Sequence, residues 1–277
     1  MLPLTAPDTW KQLESYGNAE EIPALIEELD KSFSTEILNE ICWDCIYHQN
    51  SLYESIFATL PYLINICEKS SDPDFRMEAF INIGVILSEL DVTGRLLDQT
   101  FSETRLDKET VNAIVSSFKK SFGHLNAIGQ GLLEMVPSME EEDKRHFLAA
   151  LATANGRYEI AKVFFTYSDN DEYMCTCPDC ESEYYLWNKD NSLIMYTEDP
   201  VFNKDQTGYS VTPRPLSVVT SLEKISITDH FAWLLYYVNR LDIQSLKPIA
   251  GYLFGEANCL ECRGDFEVFD GVVGPLE

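Results

Sequence analysis

Two Cys-x-x-Cys pairs near the C-terminal end of the sequence have the residue types and spacing of a metal site. They are Cys177-Pro178-Asp179-Cys180 and Cys259-Leu260-Glu261-Cys262. Two short pairs of thiolates can supply all four ligands of a tetrahedral zinc ion. An all-cysteine set favours a structural ion, because catalytic zinc keeps one position open for water. The sequence therefore predicts one structural Zn²⁺ on Cys177, Cys180, Cys259 and Cys262, with unliganded thiols as the alternative.

The residues after each pair are also similar. Tyr184 follows Cys180 by four positions, and Phe266 follows Cys262 by four. This pattern is typical of zinc knuckles, in which a tight turn offers two sulfurs and the next strand packs an aromatic ring beneath the metal. The nearer cysteines of the two pairs are 79 positions apart, so the ion would join distant segments and stabilise the fold. The sequence leaves open whether Cys175 takes part.

A third group with chemical potential consists of Cys42, Cys45 and His48. The spacing could supply a second metal site or a redox dithiol. Reactive Cys-x-x-Cys pairs usually lie at a helix N-terminus, which lowers the thiol pKa, whereas this pair falls in the middle of a predicted helix. The pattern favours buried, metal-free cysteines, and a hydrogen-bonded His48 at the helix end rather than a catalytic base.

The charge of the chain restricts its partners. It has 46 acidic and 20 basic side chains, for a net charge of −26. Direct nucleic-acid binding needs a basic surface, so the composition argues against it. The acidic charge either keeps the chain soluble by self-repulsion or attracts a basic protein partner by electrostatic steering. The candidate partner-binding residues lie in the acidic tract around the first cysteine pair, where they could also simply solvate the zinc element: Asp171, Glu172, Glu181 and Glu183.

Motifs of the common enzyme classes are missing from the sequence. There is no glycine-rich phosphate loop, Gly-x-Ser-x-Gly or His-Glu-x-x-His, and only four histidines could serve in acid–base chemistry. We therefore expect a protein that is not an enzyme. The sequence has no basic, apolar leader and no long apolar run, and its cysteines have metal-like spacing. These features predict a cytoplasmic protein without a membrane partner.

The elements that would position the cysteines are mainly α-helices. Apolar residues recur at helical spacing over about 20–31, 35–48, 52–68 and 111–136, and Asp72-Pro73 marks another helix start. The fold prediction is a HEAT-like α-solenoid or an irregular helical array, with a small β-containing zinc-knuckle element near the C-terminus. Residues 1–168 form the helical-repeat body in this interpretation. Residues 169–277 form an acidic zinc-knuckle insert and C-terminal helices that close the same structural unit.

Two parts of the 169–277 segment have stronger local patterns. Tyr184–Trp187 and Ser192–Tyr196 predict short strands on either side of the turn Lys189-Asp190-Asn191. Apolar spacing further along predicts helices over 228–241 and 243–254. The second cysteine pair follows directly after these helices.

A resemblance to a known group rests on motifs in about the first 90 residues: Trp10, Tyr16-Gly17-Asn18-Ala19, Ile22-Pro23-Ala24-Leu25, His48-Gln49, Tyr53-Glu54-Ser55 and Leu60-Pro61-Tyr62-Leu63. In these motifs the chain resembles bacterial HEAT-repeat-like proteins. Members of that group are commonly non-catalytic, and some are immunity proteins of polymorphic toxins. The resemblance implies an immunity protein that neutralises a basic toxin domain. The alternative is an endogenous interaction scaffold or assembly factor.

Overall fold

A computed structural model describes residues 1–49, 51–90, 95–168, 172–216, 221–222, 225–226 and 228–276. The chain divides into two compact units. Unit 1 contains Met1–Met135 and Ala149–Ala161, and unit 2 contains Val136–Leu148 and Lys162–Glu277. The division into 1–168 and 169–277 follows the shift in composition and stays a prediction. Within the described residues, no helix has both the length and the apolar character needed to cross a membrane.

Unit 1 is helical, in agreement with the predicted mainly-α class. Its helices are α1 (Pro7–Trp10), α2 (Ile22–Ser32), α3 (Thr35–Asn39), α4 (Glu54–Lys69), α5 (Pro73–Ser88), α6 (Arg95–Thr100) and α7 (Lys108–Leu132). A π-helical segment, Glu40–Ile46, follows α3 and leads into a small hairpin, β1 (Tyr47–His48) and β2 (Ser51–Leu52). Helices α8 (Glu141–Ala154) and α9 (Tyr158–Thr166) have residues in both units. Whether the helices form a HEAT-like repeat stays a prediction.

Local sequence explains where the unit 1 helices begin and how closely they pack. The Asp72 side chain accepts hydrogen bonds from the backbone N–H groups of Asp74 and Phe75, as the Asp-Pro signal predicts. Gly84 allows α5 and α8 to approach each other, because a Cβ atom there would lie 2.4 Å from the Ala150 Cβ. Large aromatic side chains such as Phe57 and Phe80 are fully buried in this unit.

The predicted helix over 35–48 is wrong at its C-terminal end. Regular α-helix stops at Asn39, and the π-helical segment stops at Ile46. The Cys45 carbonyl oxygen accepts hydrogen bonds from the Gly17 N–H at 2.9 Å and the Ser15 hydroxyl at 2.6 Å. Since this carbonyl is occupied from outside the helix, the chain turns away, and His48 lies in β1 instead of at a helix end.

Unit 2 contains a four-stranded antiparallel sheet of β3 (Tyr173–Thr176), β4 (Glu183–Lys189), β5 (Ser192–Tyr196) and β6 (Tyr209–Ser210), in that order. The predicted strands on either side of the 189–191 turn are confirmed as β4 and β5. A separate hairpin pairs β7 (Glu256–Asn258) with β8 (Asp265–Glu267). Unit 2 also contains the helices α10 (His230–Arg240), α11 (Ala250–Leu253) and α12 (Val268–Val273) and two short 3-10 helices, Val136–Ser138 and Gly274–Leu276.

The predicted helix over 228–241 is present as α10, but the one over 243–254 is mostly wrong. Only Ala250–Leu253 is α-helical there, and the residues before it form turns. Pro248 accounts for the difference. Proline lacks an N–H group and disfavours helical geometry in the residue before it, so the helix begins only after Pro248.

Candidate metal centre

Both cysteine pairs lie in the turns of β-hairpins. The turn 177–182 joins β3 to β4, where Thr176 pairs with Glu183. The turn 259–264 joins β7 to β8, where Asn258 pairs with Asp265. Each turn therefore has a cysteine at its first and fourth positions, immediately after a strand. We call them the first and second knuckles.

The two knuckles have the same backbone hydrogen bonds. The Cys177 N–H donates to the Ser182 carbonyl oxygen at 2.9 Å, and the Cys259 N–H donates to the Gly264 carbonyl oxygen at 2.8 Å. In the first knuckle, the N–H of Glu181, the residue before Ser182, donates to the Cys177 carbonyl oxygen at 2.9 Å. The equivalent bond in the second knuckle, from Arg263 to Cys259, is 3.1 Å long. Matched turns of this kind bring both sulfurs of a pair to one side.

The residue after each second cysteine has a left-handed backbone. Glu181 has φ 61° and Arg263 has φ 65°. This region costs a residue with a Cβ atom about 1–2 kcal/mol relative to right-handed geometry, and glycine much less. The same strained geometry therefore occurs at the same position of both knuckles, which shows that the turn conformation itself is the shared feature.

The four sulfur atoms come together in one cluster. All lie within 4.8 Å of one another, with 3.8 Å between Cys177 and Cys262 and 3.5 Å between Cys180 and Cys259. Four thiolates bound to one ion at a Zn–S distance of about 2.3 Å would have their sulfurs about 3.8 Å apart. These separations are far longer than a disulfide bond of about 2.05 Å, and all four cysteines are free. The donor set thus fits a tetrahedral metal ion.

Cys175 lies outside this cluster. Its side chain is buried, and its sulfur is 4.0 Å from the Val268 carbonyl oxygen, on the side of α12. Burial raises its pKa to about 12. Cys175 is therefore a protonated core thiol, which answers the question that the sequence left open.

The local environment shifts the pKa values of the four cysteine thiols in different directions. Burial raises the pKa of Cys259, but hydrogen bonds from the Tyr184 hydroxyl and two backbone N–H groups outweigh burial and lower it to about 6. The Ser182 hydroxyl lowers the pKa of Cys180. Burial raises the pKa of Cys177. For Cys262 the Gly264 N–H acts to lower the pKa, but interactions with the other cysteines raise it to about 12. Within the cluster, the pKa is therefore lowered at Cys259 and Cys180 and raised at Cys177 and Cys262.

Tyr184 connects the two knuckles. It lies on β4 just after the first knuckle, is 1 % exposed, and places its hydroxyl 3.1 Å from the Cys259 sulfur. The same hydroxyl accepts a hydrogen bond from the Leu260 N–H at 3.0 Å. Burial raises the Tyr184 pKa to about 12, so the phenol stays protonated and its O–H donates a hydrogen bond to the Cys259 sulfur. The sequence pattern predicted an aromatic ring here, but not its hydrogen bonds to the opposite knuckle.

Cys42 and Cys45 are buried, as predicted. Burial raises the pKa of Cys42 strongly and that of Cys45 to about 11. The His48 ring stacks on the Tyr16 ring with 4.0 Å between centroids. In the part of the chain that the structure describes, the four-cysteine cluster is the only group of three or more Cys, His, Asp or Glu side chains close enough to share a metal ion.

The predicted partner-binding residues are not all in one place. Glu181 and Glu183 are exposed at the end of the sheet where the first knuckle lies. Glu172 is half-buried and directly precedes β3. The first residue of β3, Tyr173, pairs with Leu186, which lies in β4 away from the first knuckle. At about 3.3 Å per residue, the length of β3 separates Glu172 from the knuckle. Asp171 lies outside the described residues.

Comparison with known proteins adds no relative to this description. No family model matches the chain, and no curated protein or solved structure matches it. The interpretation of the site therefore depends on the geometry of the residues themselves.

Proposed function

We propose that the chain is a non-catalytic protein-binding module stabilised by one structural zinc ion on Cys177, Cys180, Cys259 and Cys262. The observation that carries the metal assignment is the pair of matched knuckles, whose sulfurs have the spacing of a tetrahedral site. Zinc is the preferred ion because tetrahedral thiolate sites select zinc or iron and an all-cysteine zinc site is structural. When bound, the ion would hold together hairpins that are far apart in the sequence.

The partner in this proposal is a basic protein. A net charge of −26 attracts basic surfaces over long distances and speeds their association. The preferred version is immunity: the chain would bind a basic toxin domain and block its active site or substrate groove. The resemblance of its first 90 residues to HEAT-repeat-like proteins supports this version. Each exposed carboxylate near the knuckles, such as Glu181 and Glu183, would contribute to the attraction.

Metal analysis tests the first half of the proposal. Protein purified without added metal should contain about one zinc ion per chain, measured by mass spectrometry of the elements. Treatment with a strong chelator should release the ion and lower the melting temperature. Iron in place of zinc would change the identity of the ion, and a metal content near zero would overturn the site.

Co-expression tests the second half. If a toxin-domain gene adjoins the gene for this chain, its active product should kill cells alone and spare them when this chain is present. The purified pair should associate more slowly as salt shortens the Debye length from about 10 Å to about 3 Å, with less effect on dissociation. A confirmed toxin that is neither bound nor neutralised would contradict the immunity role and favour the scaffold.

A further inference from the structure

The loop 197–208, between β5 and β6, exposes two adjacent apolar side chains. Phe202 is 89 % exposed and Val201 is 53 % exposed. Among the large apolar residues that the structure describes as exposed, Phe202 has the highest exposed fraction. A phenylalanine with this much exposed surface costs hydration free energy and is a typical anchor of protein interfaces.

Hydrogen bonds brace this loop from within. The Phe202 N–H and the Asn203 N–H both donate to the Asp199 carbonyl oxygen, at 3.0 and 3.1 Å. The Asp199 side chain accepts from the Val201 N–H at 2.9 Å, and the Glu198 carboxylate accepts from the Asn203 amide at 2.8 Å. These bonds give the backbone at Phe202 a defined conformation, which lowers the entropic cost of ordering the loop on binding.

Sheet topology places this loop at the same end as the first knuckle. Strand β4 leaves the knuckle at Glu183, and the antiparallel β5 returns so that Tyr196 pairs with Tyr185. Strand β6 then begins beside the end of β5, with Tyr209 paired to Met195. The loop thus starts and ends at the knuckle end of the sheet, where Glu181 and Glu183 are exposed.

The charge around Val201 and Phe202 indicates which kind of partner could bind them. The loop carries Glu198, Asp199 and Asp205, against the single basic residue Lys204. A second copy of this chain would bring the same acidic loop to the contact, and like charges repel. An anionic membrane surface would repel the loop for the same reason. A protein surface with an apolar pocket and a rim of Lys or Arg side chains complements both features.

We propose that Phe202, with Val201 beside it, inserts into an apolar pocket on the basic partner, while Glu181, Glu183, Glu198 and Asp205 face the basic rim of that pocket. This inference rests on the proposed capture of a basic protein and names the surface that performs it. The contact combines a central aromatic anchor with a charged periphery, the arrangement common to tight protein interfaces.

Site-specific photo-crosslinking tests the surface. The photoreactive residue benzoylphenylalanine is placed at position 202, 183 or 216 of the full chain in its native host cells. Leu216 is the matched control, because it is also apolar and 62 % exposed in the same unit but lies outside the loop. We expect crosslinks from 202 and 183, but not from 216, to one basic protein. That protein, once purified, should bind Phe202→Ala at least about tenfold more weakly than the unchanged chain and bind Leu216→Ala equally well.

The readouts separate this inference from the proposed function. Because Phe202 is exposed, Phe202→Ala should leave the melting temperature unchanged, so weaker binding cannot be assigned to misfolding. A basic protein that crosslinks at 183 but not at 202, or whose affinity Phe202→Ala does not change, overturns the anchor and leaves the proposed function intact. Crosslinking from 202 to a second copy or to lipid also overturns it. No crosslinked protein from 202 or 183 contradicts both.

Discussion

Cys42 and Cys45 have the same spacing as Cys177 and Cys180, but the backbone around the two pairs differs. The first pair lies in a π-helical segment and is buried. The second pair lies in a hairpin turn, with one cysteine buried and the other exposed. Burial raises the pKa of both helical thiols, whereas the hydrogen bond from Ser182 lowers that of Cys180.

The difference lies in what the backbone N–H groups do. In the helical segment they bond to backbone carbonyls, as the Tyr47 N–H does to Cys42. In the knuckles the N–H groups after each first cysteine instead act to lower the pKa of its sulfur, as Glu261 and Cys262 do for Cys259. Cys-x-x-Cys spacing therefore predicts a metal site only where a turn frees these donors to stabilise thiolates.

The largest effect should come from breaking one knuckle. Cys259→Ser removes a thiolate from the cluster, so we expect loss of the bound zinc and of several kcal/mol of stability, seen as a fall of roughly 10 °C or more in melting temperature. Metal content and calorimetry measure the two effects. Unchanged values of both would refute the metal centre.

The matched control is the same substitution in the helical pair. Cys42→Ser puts a hydroxyl in an apolar site and should cost about 1–3 kcal/mol, with the zinc content unchanged. A zinc ion lost from Cys42→Ser would show that the helical pair also binds metal. The comparison of the two pairs would then fail.

Thiol labelling should separate the two pairs by rate. In metal-free reduced protein we expect Cys180 to react with iodoacetamide at least about 100-fold faster than Cys42, because Cys180 is exposed with a lowered pKa and Cys42 must first be uncovered by local opening. Mass spectrometry of the labelled peptides gives both rates, and labelling in denaturant is the control. Equal rates under native conditions would be incompatible with the burial of Cys42.

A smaller effect should follow from Tyr184→Phe, which removes only the hydroxyl between the knuckles. Cys259 would lose a hydrogen-bond donor and the Leu260 N–H its acceptor, so zinc affinity should fall by roughly tenfold. Competition with a chromophoric chelator measures it. Tyr185→Phe, at the half-buried neighbouring position, should change the affinity less than twofold. Equal effects of the two variants would rule out a specific role for the Tyr184 hydroxyl.

The smallest expected effect is a gain in the free energy of unfolding. Glu181→Gly relieves the left-handed backbone at φ 61°, and we expect about 0.5–1 kcal/mol of added stability by urea unfolding. Arg263→Gly should act in the same direction in the second knuckle. Glu183→Gly, on strand β4, should destabilise by a similar amount. If Glu181→Gly destabilised as much as Glu183→Gly, the strain at the turn would be absent.

The sequence predicts the cysteine cluster because the ligand chemistry depends on residue type and short-range spacing. It also predicts helices such as α5, whose start is marked by Asp72-Pro73, and the strands beside the 189–191 turn. The end of the helix at Ile46 was missed because it depends on hydrogen bonds from Ser15 and Gly17 to Cys45, some 30 positions away. The hydrogen bonds of the Tyr184 hydroxyl to the second knuckle were missed for the same reason, because they depend on the packing of two hairpins that are distant in the sequence.

The distance in sequence between the knuckles also sets the order of events during synthesis. Cys259 follows Cys180 by 79 positions, and at about 5–20 residues per second the ribosome needs roughly 4–16 seconds to make that stretch. During this interval the nascent chain offers a metal ion only half of its ligands. Capture of the proposed ion would thus be a late step that requires the chain to be made through Cys262, and a product terminated before Cys259 would lack half of the four-cysteine cluster.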